Sequence, residues 1–272
     1  MCSRPMLRYH GGKWKLASWV IAHLPIHRVY VEPFAGAASV LLKKRPSDVE
    51  IINDKCSDIT NLFSVVRDRG DELRRALELT PYSRDEFDLS YQPASDSLER
   101  ARRMIVRAAL GRASASSTRE SKSSFRAYSG TKRASTVQDW LNYPAALEAI
   151  IARLRGVIIE NRDALEVITD HDHIDTVHYV DPPYVMSTRD GTGQDYRYEM
   201  TDAEHVALAH HLRGVKGMVV LSGYHSELYA DLYGAWGWKT VERKAYADGH
   251  AARTEVLWLS PNCQMQQQRL FA

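Results

Sequence analysis

The chain has 272 residues, of which 44% are hydrophobic and 26% charged, a composition typical of globular proteins and unlike that of disordered or fibrous chains. Its net charge of +2 neither requires nor excludes nucleic acid as a partner, so the position of the charges must decide. No apolar run reaches the roughly 18 residues that span a membrane, and residues 1–15 contain no apolar signal core, so we expect a cytoplasmic protein without a membrane partner.

The first part of the chain predicts two strand–turn–helix units. Residues 28–32 form a β-branched and aromatic run typical of a strand, followed by the small-residue turn 33–39 and the helix-like residues 40–44. A second strand, 50–53, precedes a helix over 58–69, where apolar residues recur every three or four positions. This alternation of strands and helices is typical of an α/β sheet.

After a long interruption the alternation resumes and then ends differently. Thr201 and Glu204 have the spacing of a capping box, which predicts the start of a helix. The last two strands have no helix between them, so we expect an antiparallel edge of the sheet. The elements predicted here are strands over 157–160, 176–180, 218–221, 239–243 and 254–260, and helices from 164 and over 201–212.

Residues 65–150, which cause the interruption, contain a strongly basic stretch in their middle. Between Arg100 and Arg133 ten basic residues stand against one acidic residue, although the net charge of the whole chain is only +2. Phe125 and Tyr128 lie among them, and basic and aromatic side chains together suit contacts with nucleic acid. The alternative is a solvated loop whose charge is balanced by the acidic remainder of the chain.

The same segment also differs in its predicted secondary structure. It is mainly helical, so we expect a domain inserted into the α/β sheet rather than a continuation of the sheet. We predict one domain formed by residues 1–64 and 151–272, and an inserted domain over residues 65–150. The helical patterns cover residues 71–79, 97–110 and 138–155.

The ends of the first two strands predict a nucleoside site. Residues 32–36 close the first strand with a small-residue turn, which allows a nucleotide-like ligand to approach the backbone. Gly36 is the only glycine there, so the G-x-G-x-x-G pattern of dinucleotide-binding enzymes is missing. Asp54 ends the second strand, where its carboxylate can accept both hydroxyls of a ribose or, alternatively, cap the next turn. Together these features favour a bound nucleoside with little phosphate binding.

A tetrapeptide of Asp181, Pro182, Pro183 and Tyr184 directly follows an apolar strand. The two prolines fix the backbone and have no N–H, so the Pro182 carbonyl can accept a hydrogen bond from a ligand. The Asp181 carboxylate and this carbonyl together offer two acceptors to one NH₂ group, which would aim the nitrogen lone pair. Tyr184 can lie flat against an aromatic base. The alternative is a simple Asp-Pro turn that closes the strand.

These motifs, in this order, resemble those of the Dam-type, alpha-class N6-adenine DNA methyltransferases, particularly their phage and prophage members. Residues 7–13 are similar to the family's N-terminal Gly-Gly-Lys motif, 31–36 to its S-adenosyl-L-methionine (AdoMet) motif, 52–54 to its ribose carboxylate and 181–184 to its catalytic signature. The family often has a second glycine where this chain has Ala38. We expect the Ala38 methyl group to leave less room for the methionine part of AdoMet.

The resemblance implies a Rossmann-like methyltransferase sheet that binds AdoMet and releases S-adenosyl-L-homocysteine. It also implies that residues 1–64 and 151–272 form the catalytic domain and residues 65–150 the inserted DNA target-recognition domain. The residues that it implies for cofactor binding are Tyr9 and Lys13 at the methionine end, Phe34 and Gly36 in the pocket, Asp54 at the ribose and Asp163 at the adenine amine. Glu160 and Asn161 are neighbouring alternatives to Asp163 with similar chemistry.

No metal or disulfide chemistry is expected. Cys2, Cys56 and Cys263 are far apart and outside any C-x-x-C pattern, which excludes a disulfide framework and argues against a zinc site. The eleven histidines show no metal-ligand spacing.

The resemblance also implies double-stranded DNA as the partner, with the target adenine flipped out of the duplex. Residues 185–199 follow the tetrapeptide, and we expect them to fold over the flipped base; a merely disordered connection is the alternative. For Arg8, an ordinary surface arginine is the alternative to a phosphate contact. The residues that we expect to contact DNA are Arg8, Arg107, Arg112, Arg119, Lys122, Arg126, Tyr196 and Tyr198.

The implied reaction is direct transfer of the AdoMet methyl group to adenine N6, without a covalent enzyme intermediate or a metal. One alternative is a methyltransferase for another amine, in cytosine N4, RNA or protein glutamine, although those families usually begin the tetrapeptide with Ser or Asn. A second is a catalytically silent DNA-binding protein with the same fold. A dinucleotide-dependent oxidoreductase is the least favoured, because the glycine loop is missing. The sequence indicates neither a homodimer nor a restriction partner.

Overall fold

The computed structural model of the chain describes residues 2–112, 122–127, 135–189, 195–246 and 252–264. Seven strands form one sheet within these residues, in the order β3-β2-β1-β4-β5-β7-β6. The strands are β1 (Val29–Glu32), β2 (Val49–Asn53), β3 (Ile158–Glu160), β4 (Thr176–Val180), β5 (Met218–Gly223), β6 (Lys239–Tyr246) and β7 (Ala252–Leu259).

Five of the described helices, α5, α6, α9, α10 and α11, begin at a residue whose side chain caps the first turn. The Asp96 carboxylate accepts a hydrogen bond from the Glu99 amide at 2.8 Å. Thr201 and Glu204 form the predicted capping box. The helices are α1 (Ala17–Ala22), α2 (Ser39–Lys43), α3 (Ser57–Asp68), α4 (Gly70–Glu78), α5 (Arg84–Leu89), α6 (Ser97–Leu110), α7 (Ser135–Leu141), α8 (Tyr143–Leu154), α9 (Ala164–Asp170), α10 (Asp202–Arg213) and α11 (Glu227–Leu232), with 3₁₀ turns at Met186–Thr188 and Gly234–Trp236.

The order of the strands determines where a ligand can bind. The chain runs from β1 through β2 to β3 on one side, then crosses to β4 and β5 on the other, and Val31 pairs in parallel with both Ile51 and His178. The strand order therefore reverses between β1 and β4, and open α/β sheets bind ligands at the carboxyl ends of the strands at such a point. β7 is antiparallel to β5 and β6, as expected for the end of the sheet.

Hydrophobic residues cover both faces of the sheet, as a mostly parallel sheet requires. Val219 packs on one face with residues of α10 and α11, whereas Val220 packs on the other with residues of α2 to α8. Burial of each such aliphatic side chain contributes roughly 1.5–3 kcal/mol to stability. The helices that lie between β2 and β3 in the chain therefore share one core with the sheet.

The structure differs from the predicted organisation at two places. The helix predicted over 138–155 is two helices, α7 and α8, because Pro144 in the first turn of α8 cannot continue a preceding helix. The predicted domain boundaries at 64/65 and 150/151 fall inside α3 and α8, so the division into a catalytic and an inserted domain stays a prediction. Among the described helices, none is long and apolar enough to cross a membrane.

Candidate active site

A cavity with about 1330 Å³ of empty volume, part of it open to solvent, lies at the carboxyl ends of β1, β2 and β4. Its walls include every residue predicted to bind the cofactor and three residues of the tetrapeptide. These are Tyr9, Lys13, Phe34, Gly36, Asp54 and Asp163, together with Asp181, Pro182 and Pro183.

The turn between β1 and α2 forms one wall of the cavity and needs a glycine. Gly36 has φ +48°, and a Cβ atom there would lie 2.8 Å from the ring of Tyr9. Ala38 also has a positive φ, of 47°, a conformation that glycine adopts at lower cost. Its methyl group is fully buried in the core and is not part of the cavity wall. The expectation that it narrows the cofactor site is therefore wrong, and its cost is backbone strain.

Asp54 fixes this turn from the end of β2. Its carboxylate accepts the Gly36 N–H at 2.9 Å and the Cys56 N–H at 2.8 Å. Burial raises the pKa of Asp54, and these two hydrogen bonds oppose that shift. Asp54 therefore caps the turn, which was the alternative interpretation of this residue, and also lines the cavity. The neighbouring Asn53 donates to the carbonyls of Pro33 and Arg162, which ties the ends of β1, β2 and β3 together.

Asp163 lies at the exposed rim of the cavity. It is the N-cap of α9 and accepts the Leu165 N–H at 2.9 Å. Its two alternatives, Glu160 and Asn161, are not among the residues of the cavity wall, and Asn161 donates instead to the carbonyl of Asp54. Of the three candidates, Asp163 is therefore the one on the cavity wall, and its contact with the cofactor stays a prediction.

Asp181 and Lys13 form an ion pair inside the cavity, with 3.0 Å between Oδ1 and Nζ. The Lys13 side chain is 7% exposed and that of Asp181 is 17% exposed. Burial raises the pKa of Asp181, and Lys13 partly opposes this. Burial by itself would lower the pKa of Lys13, but the charges of Asp181 and Glu255 outweigh it and raise the pKa. Lys13 therefore stays protonated and favours the anionic form of Asp181.

This pairing was not expected from the sequence, which predicted Lys13 at the methionine end of AdoMet. Asp181 is paired but still faces the cavity, as do Pro182 and Pro183. The carboxylate consequently has one oxygen beside an ammonium group and remains on the wall of a space large enough for a ligand.

Tyr184 lies beside the cavity rather than on its wall. Its hydroxyl donates to Glu255 Oε2 at 2.9 Å, and its ring centroid lies 4.7 Å from Lys13 Nζ and 4.7 Å from the Tyr224 ring. Sequence reasoning missed Glu255, which is on β7 and belongs to no local motif. The one signal was an acidic residue in the otherwise apolar run 254–259.

Tyr196 and Tyr198, which we expected to contact DNA, both line the cavity. Tyr196 donates to the carbonyl of His10 at 3.4 Å and packs on Gly11, where an added Cβ would lie 2.1 Å from the tyrosine oxygen. Glu199 accepts the N–H of Tyr196 at 2.9 Å and pairs with Arg189 at 2.8 Å. Residues 195–200 are thus held over the N-terminal motif, and their contact with DNA stays a prediction.

Several arginines of the basic segment are neutralised within the protein. Arg102 pairs with both Glu86 and Glu99 at 2.7 Å, and Arg103 pairs with Glu99 at 2.6 Å. Arg100 pairs with Asp58 at 2.6 Å. The positive charge that the sequence offered to DNA is therefore smaller than the residue count indicated.

The remaining DNA-contact candidates differ in exposure. Arg112 is exposed and Arg126 half-buried, whereas Lys122 pairs with Asp88 at 2.7 Å. Arg8 donates to the Gly111 carbonyl at 3.2 Å. Arg107 lies over the Tyr91 ring, and burial lowers its pKa. Arg119, Tyr128 and Arg133 lie outside the described residues.

The described residues contain no group of three or more His, Cys, Asp or Glu side chains that could hold a metal ion. What they do contain is a cavity whose wall includes three carboxylates, those of Asp54, Asp163 and Asp181, together with Pro182. Such a site can hold a nucleoside-containing ligand and bind the amine of another molecule next to that ligand.

Comparison with known proteins agrees with this chemistry. Segments of the chain are similar to DNA adenine methylases of Serratia marcescens, with 37% identity over 90 residues, Escherichia coli K12, with 34% over 102, and Salmonella typhi, with 35% over 91. Each match spans about a third of the chain and about a third of the relative's length. A family model described as D12 class N6 adenine-specific DNA methyltransferase matches residues 9–246. The chain therefore belongs to the D12 class of N6 adenine-specific DNA methyltransferases.

Proposed function

We propose that the protein is an AdoMet-dependent methyltransferase that modifies N6 of adenine in double-stranded DNA. The observation that carries the proposal is the placement of Asp181 and Pro182 in the same cavity as all six predicted cofactor residues. Two residues that offer acceptors to an amine and the residues expected to hold a nucleoside thereby line a single space.

The cavity fits AdoMet at the turn after β1. Because Gly36 has no side chain, the turn can pack directly against the ring of Tyr9. Asp54, which accepts the Gly36 N–H, offers its carboxylate to the ribose hydroxyls. Asp163 is the acceptor for the adenine amine of AdoMet at the rim. When bound, AdoMet supplies the electrophilic methyl group.

Asp181 and Pro182 hold the amine that receives this methyl group. One carboxylate oxygen of Asp181 pairs with Lys13, so its second oxygen and the Pro182 carbonyl accept the two N–H groups of adenine. Positive charge develops on that nitrogen during transfer, and the adjacent carboxylate stabilises it. The methylated amine, now cationic and acidic, then gives up one proton to water, so Asp181 does not need to act as a strong base.

Adenine must leave the duplex to reach these acceptors, at a cost of roughly a few kcal/mol. Hydrogen bonds to Asp181 and Pro182, which both line the cavity, offset this cost. Arg112 and Arg126, with Arg8, Arg107, Arg119 and Lys122, contact phosphates, and the helical segment 65–150 serves as the target-recognition part. A DNA substrate also makes the cytoplasm the proposed location.

Product analysis tests this function. The purified protein is incubated with unmethylated double-stranded DNA and AdoMet carrying a labelled methyl group, and the nucleosides are then separated and weighed by mass spectrometry. We expect label in N6-methyldeoxyadenosine alone. Label in N4-methyldeoxycytidine would move the function to another amine, and DNA binding without transfer would indicate a silent protein. Single-molecule sequencing of the product gives the recognition sequence.

A further inference from the structure

Glu255 is a buried carboxylate at the active-site edge of the sheet. β7 runs antiparallel to β5, and Val256 pairs with Gly223, the last residue of β5. This register brings the preceding residue, Glu255, to the edge where the parallel strands end. Its side chain is only 8% exposed. A carboxylate is seldom buried to this degree unless hydrogen bonds or ion pairs stabilise it.

Glu255 is coupled to two residues of the site. It accepts the hydroxyl proton of Tyr184 at 2.9 Å. Burial raises the pKa of Tyr184 well above its ordinary value, and the charges of Asp181 and Glu255 add to this effect, so the hydroxyl remains a donor. Glu255 is also one of the two carboxylates whose charge keeps the buried Lys13 protonated.

The tetrapeptide cannot orient Tyr184 by itself. Pro182 and Pro183 fix the backbone, but the tyrosine side chain can still rotate about its own two torsions. The ring is held by contacts at three places: Glu255 at the hydroxyl, Tyr224 at 4.7 Å in an edge-on arrangement, and the Lys13 ammonium over the ring. Of these, the hydroxyl contact is the directional one.

We propose that Glu255 is a positioning residue for methyl transfer: it holds the Tyr184 ring in place behind the cavity wall and, together with Asp181, retains the Lys13 ammonium between that ring and the Asp181 carboxylate. The proposal rests on the proposed function. It assigns a role to a residue 71 positions beyond the tetrapeptide that touches Tyr184 and that we do not place in contact with either substrate.

The test is a set of substitutions with kinetics and AdoMet binding. Glu255→Leu replaces the carboxylate by an apolar side chain of similar size and removes the acceptor 2.9 Å from the Tyr184 hydroxyl. We expect kcat to fall about 30-fold, because the ring loses the hydrogen bond that fixes its orientation. Glu255→Gln retains an acceptor but loses the charge, and we expect a fall of only about fivefold. The dissociation constant of AdoMet should stay within twofold of that of the unaltered protein in both variants.

A double-mutant cycle with Tyr184→Phe separates positioning from general damage. If Glu255 acts through the tyrosine hydroxyl, Glu255→Leu should lower kcat no more than about threefold once that hydroxyl is absent, because coupled residues are not additive. Glu242→Gln on β6 is the matched control: this exposed carboxylate is 2.8 Å from His225, and its loss should leave kcat unchanged.

The outcomes are distinct. An unaltered protein that transfers no methyl group would overturn the proposed function whatever the variants do. An active protein whose Glu255→Leu variant keeps kcat within twofold, or shows fully additive effects with Tyr184→Phe, would overturn the positioning role alone. Should Glu255→Leu fail to fold, Glu255→Gln decides: lower kcat at unchanged AdoMet affinity supports the role, and unchanged kcat overturns it.

Discussion

Replacing Asp181 by asparagine removes the charge at the end of β4 while keeping the size of the side chain. The Lys13 ammonium, 7% exposed, then loses the carboxylate 3.0 Å away. Removing one partner of a fully buried pair costs roughly 3–5 kcal/mol. Since Asp181 is 17% exposed and Glu255 remains nearby, we expect the free energy of unfolding to fall by about 2 kcal/mol. Loss of a preorganised charge beside the reacting nitrogen should lower kcat by roughly 10²–10³-fold.

Stability and activity must be measured on the same preparation. Urea titration gives the free energy of unfolding, and methyl transfer from labelled AdoMet to DNA gives kcat at a temperature where the variant is folded. Asp48→Asn is the control, since Asp48 pairs with Arg28 at 2.8 Å on the exposed surface, where ion pairs contribute roughly 0–1 kcal/mol. An Asp181→Asn variant with kcat within threefold of the unaltered protein would refute the assigned role.

Three further substitutions probe the rest of the site. Gly36→Ala places a methyl group against the Tyr9 ring and should weaken AdoMet binding at least about tenfold. The control is Gly156→Ala, which is also at positive φ but in open space and should cost only about 1–2 kcal/mol of stability. Equal AdoMet affinity of the two variants in calorimetry would contradict this prediction. Burial raises the pKa of Glu32 to about 8 from 4.5, so its contribution to stability is fully present below pH 4.5 and is lost as the pH rises to 8. Glu32→Gln cannot ionise. Its free energy of unfolding, relative to that of the unaltered protein, should therefore increase by roughly 1.4 kcal/mol per pH unit between pH 4.5 and 8 and stay constant above pH 8. A difference in the free energy of unfolding that does not depend on pH in urea titrations would refute the raised pKa of Glu32. Arg112→Ala should reduce the salt dependence of DNA binding by about one phosphate, whereas Arg102→Ala should lower the melting temperature and leave the salt slope unchanged; a smaller slope for the Arg102 variant would show that its ion pairs open on DNA.

The cofactor side of the cavity could be predicted because its residues lie at the ends of successive strands. The carboxyl ends of parallel strands meet at one edge of a sheet, so Gly36, Asp54 and Asp181 are brought together once β1, β2 and β4 are recognised. The contacts of Lys13 and Glu255 with the tetrapeptide could not be predicted in this way. They depend on the path of the N-terminal segment and on the insertion of β7 between β5 and β6, and neither is set by local pattern.

Two errors of the sequence interpretation have local causes. Pro144 signals the break between α7 and α8. The prediction of one continuous helix relied on the spacing of apolar residues and did not take this proline into account. The charge of the basic segment was overstated because a count that begins at Arg100 leaves out Glu99, although Glu99 stands three and four residues before Arg102 and Arg103 on the same helix. Oppositely charged residues at that spacing on a helix form ion pairs with each other, so their charge is already neutralised within the protein.

The most direct measurement is a crystal structure of the protein with a non-reactive AdoMet analogue and a DNA duplex containing its recognition sequence. We expect an adenine outside the helix, with its N6 atom within hydrogen-bonding distance of both Asp181 and the Pro182 carbonyl and in line with the sulfonium position. An adenine that stays stacked in the duplex, or an N6 atom held by other residues, would contradict this expectation.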